Sequence, residues 1–183
     1  MISKVFSLSL HGIHGTLVTV EIDIAPGLPT LTLVGLPDAS VRESRDRVVS
    51  AVRNSGFEFP IRRITVNLAP ADVRKEGPAF DLPIAVGILD STGALESRRL
   101  EEWCLIGELA LDGCLRPVKG VLPMALEARD RKFRGVILPR ANYKEAAVVD
   151  GLKVFAADTL KDVIDFLSGN TELPAASTSA GTP

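Results

Sequence analysis

His11 and His14 are the histidines of the chain, and their closeness raises the question of a metal site. A structural zinc site takes four ligands from cysteine, histidine and carboxylate. No cysteine pair or second histidine pair completes this one. Glu21 and Asp23 follow on a segment where they alternate with Val20, Ile22 and Ile24, the pattern of a strand with one wet face. No segment has the GxxxxGK[ST] order that cradles a nucleotide phosphate, and Gly113 to Gly120 holds Lys119 without that order. Gly35-Leu36-Pro37-Asp38 stands between a strand and a helix, the position of an anion-binding turn, but its composition is that of a structural one. The approach Glu76-Gly77-Pro78-Ala79-Phe80-Asp81 would present a nucleophile at a helix start. It presents Ala79, whose methyl group cannot attack a carbonyl.

The remaining chemistry is electrostatic. Arg42, Arg45, Arg47 and Arg53, followed by Arg62 and Arg63, concentrate positive charge around one helix, interleaved with Asp38, Glu43 and Asp46. Arg42 with Asp46, and Glu43 with Arg47, have i,i+4 spacing, each pair contributing ~0.2–0.5 kcal/mol. A solvated helix face, phosphate contacts and a protein interface all fit this pattern. The candidate contact residues are Arg42, Arg45 and Arg47 on the helix, with Arg74 and Lys75 in a later loop; such cations position a nucleic acid without reading its bases. The net charge of -2 supplies no global field toward polyanions.

These residues need a scaffold, and the hydrophobic pattern describes one. Val5 to Leu10 and Leu17 to Ile24 read as strands joined by a hairpin turn over His11 to Gly15, and Thr30 to Val34 as a third. Asp38 or Ser40 caps a helix whose stripe is Val41, Val48 and Val52, ending before Gly56; Ser40 and Glu43 have capping-box spacing. Ile64 to Leu68 is a strand, and Pro70 to Pro78 a polar connection. A second helix begins near Asp81 with Pro83 in its first turn, apolar on most of its circumference and therefore central. Trp103 to Leu111 reads as a strand, turned at Asp112-Gly113 and answered by Leu115 to Val118. The pattern then predicts a helix at Val121 to Arg131, a strand at Val136 to Leu138, a helix at Tyr143 to Ala147, a strand at Leu152 to Ala156, and a last helix at Leu160 to Leu167 capped by Thr159. A meander followed by alternating strands and helices predicts one mixed sheet with parallel crossovers in its second half.

Hydrophobic residues make up 46% of the 183 residues and charged residues 24%, an ordinary globular balance with ample length for a core. No apolar run approaches a membrane span, and the N-terminal segment does not read as a secretory signal. Cys104 and Cys114 lack the density of a disulfide scaffold, so the expectation is a cytoplasmic protein with reduced thiols. The domain is expected to cover residues 1–168. Residues 169–183, rich in Ala, Ser, Thr, Gly and Pro, read as a disordered linker or tail.

Several runs resemble the N-terminal domain of Mg-chelatase-like AAA ATPases, the YifB/ComM competence protein family. They are Val34-Gly35-Leu36-Pro37-Asp38 continued by Val41-Arg42-Glu43-Ser44-Arg45-Asp46-Arg47-Val48, Asn67-Leu68-Ala69-Pro70-Ala71-Asp72, Lys75 to Pro83, and Gly107-Glu108-Leu109. The resemblance spans about residues 1–168 and implies a mixed α/β fold like ribosomal protein S5 domain 2 and the Lon proteolytic domain. Gly77-Pro78-Ala79 stands where the protease has Gly-Pro-Ser, so Ala79 matches its nucleophile. Leu115 to Leu122 resembles the segment bearing its catalytic lysine; Leu122 matches that lysine, Lys119 falls earlier, and Leu122 fits a buried helical stripe. The resemblance therefore implies no catalytic residue and no metal in this chain. It further implies a linker to an AAA ATPase module that uses ATP and Mg, a homo-oligomeric ring of hexamer type, and single-stranded or branched DNA as a partner. A parent acting in DNA branch migration during natural transformation is the preferred expectation. The alternatives are a protein-protein or ring-assembly domain and, as a minor one, part of a chelatase-type metal-insertion ATPase.

Overall fold

The computed structural model describes residues 2–95, 99–170, 172–173 and 175–176. β1 (Ile2–His11) and β2 (His14–Ala25) form a long antiparallel hairpin in which His11 faces His14. β3 (Thr30–Val34) pairs parallel with β4 (Arg63–Ala69), and β4 lies antiparallel beside β2. β5 (Trp103–Leu105) runs parallel to β1 on its other side, followed outward by β8 (Gly135–Pro139) and β9 (Lys153–Ala157), all parallel. The result is one mixed sheet whose meander half and parallel half meet at β1, as the sequence pattern predicts.

Helices cover both faces because successive strand residues point to opposite sides. α1 (Ala39–Arg42), α2 (Ser44–Asn54), α3 (Asp81–Ser91) and α6 (Leu160–Leu167) belong to one core, with Val5, Val20, Ile22, Val66 and Trp103. α4 (Val121–Asp130) and α5 (Tyr143–Ala147) pack on the opposite face over Leu8, Cys104 and Val136. α3 is the central helix: every residue from Asp81 to Leu89 is buried.

The first helix departs from expectation. Asp38, rather than Ser40, is the cap, its carboxylate accepting from the Val41 amide at 2.7 Å. The helix breaks at Glu43, so Arg42 and Asp46 lie on separate elements and form no ion pair, whereas Glu43 and Arg47 do at 3.5 Å. The expected strand from Trp103 to Leu111 also divides, into β5 and β6 (Glu108–Leu109), the latter pairing with β7 (Leu115–Arg116). Between them the Ile106 amide donates to Ile137 and the Gly107 amide to Ala79, which pulls the chain out of the sheet.

Gly35 ends β3 at φ +104°, and a Cβ there would stand 2.1 Å from the Leu68 carbonyl oxygen, so this turn requires glycine. In the 169–183 segment, Leu173 is half-buried against the first core, and Ala175–Ala176 form β10, antiparallel to β9. Residues 171, 174 and 177–183 of that segment lie outside the described residues.

Candidate functional site

The motif segments converge where α1, α2 and the head of α3 meet. Asp81 opens an otherwise apolar helix and is fully buried. An ionised carboxylate there requires partners, and four donor groups supply them. Arg47 donates through Nε to Oδ2 at 2.6 Å and through Nη2 to Oδ1 at 3.1 Å. The Leu109 amide donates to Oδ2 at 3.0 Å, and the Ser44 hydroxyl makes a short bond to Oδ1. Arg47 Nη2 also reaches the Ser40 carbonyl at 2.9 Å. Burial alone would lower the Arg47 pKa, but the hydrogen bond and charge of Asp81, then Glu108 and Glu43, hold it above the ordinary guanidinium value.

Lys75 makes a second internal anchor. It is fully buried, and its Nζ donates to the Gly35 carbonyl at 2.7 Å and, in a short bond, to that of Pro70. Its backbone bridges the same turn, the Lys75 amide to Leu36 and the Asp38 amide to Lys75, each at 3.0 Å. Burial draws the ammonium pKa below its usual value, with Asp72 partly opposing. Thus the 35–38 turn is structural: Asp38 occupies the amides at the helix head with its own carboxylate, and also accepts from the Gly77 amide at 3.3 Å.

Beside this junction opens a cavity of about 480 Å³, lined among others by Asp38, Glu76, Ala79, Glu108, Lys119 and Met124. None of its lining residues carries a hydroxyl, thiol or imidazole. Ala79 is buried, with its carbonyl committed to the Gly107 amide. Leu122 does not line the cavity and is 36% exposed, a correction to the buried position expected for it. The buried stripe of α4 is Val121, Met124, Ala125 and Ala128, which turns Leu122 and Leu126 outward.

The five candidate cations separate. Arg42 and Arg45 are exposed and have no carboxylate partner among the described residues. Arg74 is exposed and pairs loosely with Glu76 at 3.6 Å. Arg47 is spent on Asp81, and Lys75 is withdrawn into the protein, so neither presents a free charge. Asp81 escaped the sequence reading as a site residue, yet one charge on a helix apolar all round is itself a signal of a buried partner. Lys75 gave no such signal, lying in a connection without periodicity.

His11 and His14 are both exposed at the hairpin end, and among the described residues no group of three or more His, Cys, Asp or Glu is placed to hold a metal ion. Cys104 is a buried thiol and Cys114 an exposed one. Among the described residues no helix is long and apolar enough to cross a membrane.

Comparison with known proteins places these motifs in a family. The family described as subunit ChlI of Mg-chelatase matches residues 20–142. Competence protein ComM of Haemophilus influenzae is 46% identical over 172 residues, 94% of this chain and 34% of that protein. The uncharacterized protein YifB of Escherichia coli is 44% identical over 172 residues, with the same coverage of 94% and 34%. Lon protease 1 of Bacillus subtilis is 26% identical over 177 residues, 90% of this chain and 22% of that protein. The chain spans about a third of the length of the ComM and YifB relatives. With 123 residues matched, spanning the arginine-rich helix, the buried Asp81 and the Ala79 turn, this chain belongs to the Mg-chelatase subunit ChlI family.

Proposed function

We propose that this chain is the non-catalytic N-terminal domain of a Mg-chelatase-like AAA ATPase that processes DNA, and that it holds the DNA backbone with Arg42, Arg45 and Arg74. The observation that carries the reading is the sorting of charges at the junction: Arg47 and Lys75 are consumed internally, while Arg42 and Arg45 remain exposed without carboxylate partners. The Pro37–Lys75 bridge brings the loop bearing Arg74 against the start of α1, so the three cations share one end of the domain. The name of the Haemophilus relative, a competence protein, favours DNA as the polyanion. ATP and Mg belong to the AAA module of the parent, which acts as a ring.

The test is the full-length ATPase carrying Arg42→Glu, Arg45→Glu and Arg74→Glu, titrated with labelled single-stranded and branched DNA across a salt series. Weakened binding with a shallower salt dependence, by about one unit of slope per lost phosphate contact, and unchanged assembly is the expected result. Normal DNA affinity with lost assembly overturns it in favour of a subunit interface.

A further inference from the structure

We propose that the outer edge of β3 pairs with itself, joining the sheets of two copies of this chain antiparallel about a two-fold axis at Thr32. β3 is the last strand of the sheet on its side, with β4 as its one neighbour. The Thr30 amide donates to the Arg62 carbonyl at 3.3 Å, so the backbone groups of Thr30, Thr32 and Val34 turn toward β4. By strand alternation those of Leu31 and Leu33 turn outward.

Nothing on this edge repels another strand. Natural edges are commonly blunted by charged side chains, inward-pointing charges or bulges. Here no charged residue occurs from Ile24 to Pro37, and no proline lies within β3. Exposed apolar side chains flank it: Leu28 at 83%, Leu36 at 53% and Ile61 at 80%.

The occupant follows from the symmetry of the segment. An antiparallel register centred on Thr32 sets Leu31 of one copy opposite Leu33 of the other, in both directions. Those hydrogen-bonded pairs use all the outward amides and carbonyls of the strand. Thr30 then faces Val34, Thr32 faces its own copy as a close non-hydrogen-bonded pair, and the two-fold sends the Leu28 corner toward the Leu36 corner. Thr30, Thr32 and Val34 are already exposed, while Leu31 and Leu33 already pack on the core, so no side chain must change sides. The other sheet edge, two-residue β10, offers no comparable length for a head-to-tail partner.

The test is sedimentation velocity of the 183-residue chain from low to high micromolar concentration, with Thr32→Lys and Thr32→Glu variants checked for folding by circular dichroism. The wild type should shift from 19.5 kDa toward twice that mass as concentration rises. Each variant alone should stay monomeric, because like charges face each other across the axis. Mixed in equal amounts, the two variants should recover the dimer. A wild type monomeric throughout, variants that dimerise as well as wild type, or a mixture that stays monomeric each overturns the proposal.

Discussion

Arg47 grips Asp81 through two nitrogens, Nε to Oδ2 at 2.6 Å and Nη2 to Oδ1 at 3.1 Å, tying the middle of α2 to the head of α3. Removing one member of such a buried pair strands the other charge, at a cost of about 3–5 kcal/mol. Arg47→Met should lower the urea unfolding midpoint accordingly. Arg47→Lys should recover only part of the loss, since an ammonium cannot supply two parallel in-plane bonds. A midpoint unchanged in Arg47→Met would show that the pair contributes nothing to folding.

Lys75 makes stability depend on pH in a definite direction. Its folded pKa lies below the usual lysine value, while the unfolded chain titrates near ~10.4. Between those values the unfolded state binds more protons, so the lysine's contribution to stability rises with pH through that interval. Lys75→Met has no such titration and leaves the Gly35 carbonyl without the ammonium, a loss of about 1–3 kcal/mol. Measured by denaturant unfolding at stepped alkaline pH, the stability difference between wild type and Lys75→Met should widen as pH increases. A constant difference contradicts the buried-ammonium account.

The two thiols should react very differently. Burial pushes the Cys104 thiol far up, so it stays protonated and inaccessible in the native state. Cys114 is exposed, but a hydrogen bond to Asp112 stabilises its thiol form and raises its pKa. Titration with an aromatic disulfide reagent should label Cys114 alone in native protein and both cysteines after unfolding. Asp112→Asn should speed labelling of Cys114, because the thiolate loses its anionic neighbour; slower labelling in that variant would refute the assignment.

Gly35→Ala places a methyl group against the Leu68 carbonyl at a backbone angle that side chains rarely adopt. The expected loss exceeds the roughly 1 kcal/mol of an ordinary glycine exchange, and thermal melting reads it directly. A melting temperature within error of wild type would mean that the turn relaxes freely.

Local signals in the sequence located α5 and α6 and the Thr159 cap, because each is set by neighbours within one turn; the Thr159 hydroxyl indeed accepts from the Asp162 amide at 3.1 Å. The misread features depend on distant residues. The break after Leu105 is set by Ile137 and Ala79, and the outward turn of Leu122 by what the rest of α4 packs against. The arginine cluster looked uniform in sequence, yet Asp81, 34 positions away, decides that Arg47 is internal while Arg42 and Arg45 are not.

The central place of β1 sets an order of assembly. Its hairpin with β2 closes across a short turn, but its other edge waits for β5, and Ser7 reaches the Leu105 carbonyl across 98 positions. Contacts of that separation form late because the loop must close before they contribute. During synthesis from the N-terminus, the strand that ends up in the middle of the sheet emerges first and keeps an open, apolar edge until residues 103–105 have left the ribosome. This half-built sheet is the species most exposed to aggregation, and the one for which a chaperone would matter.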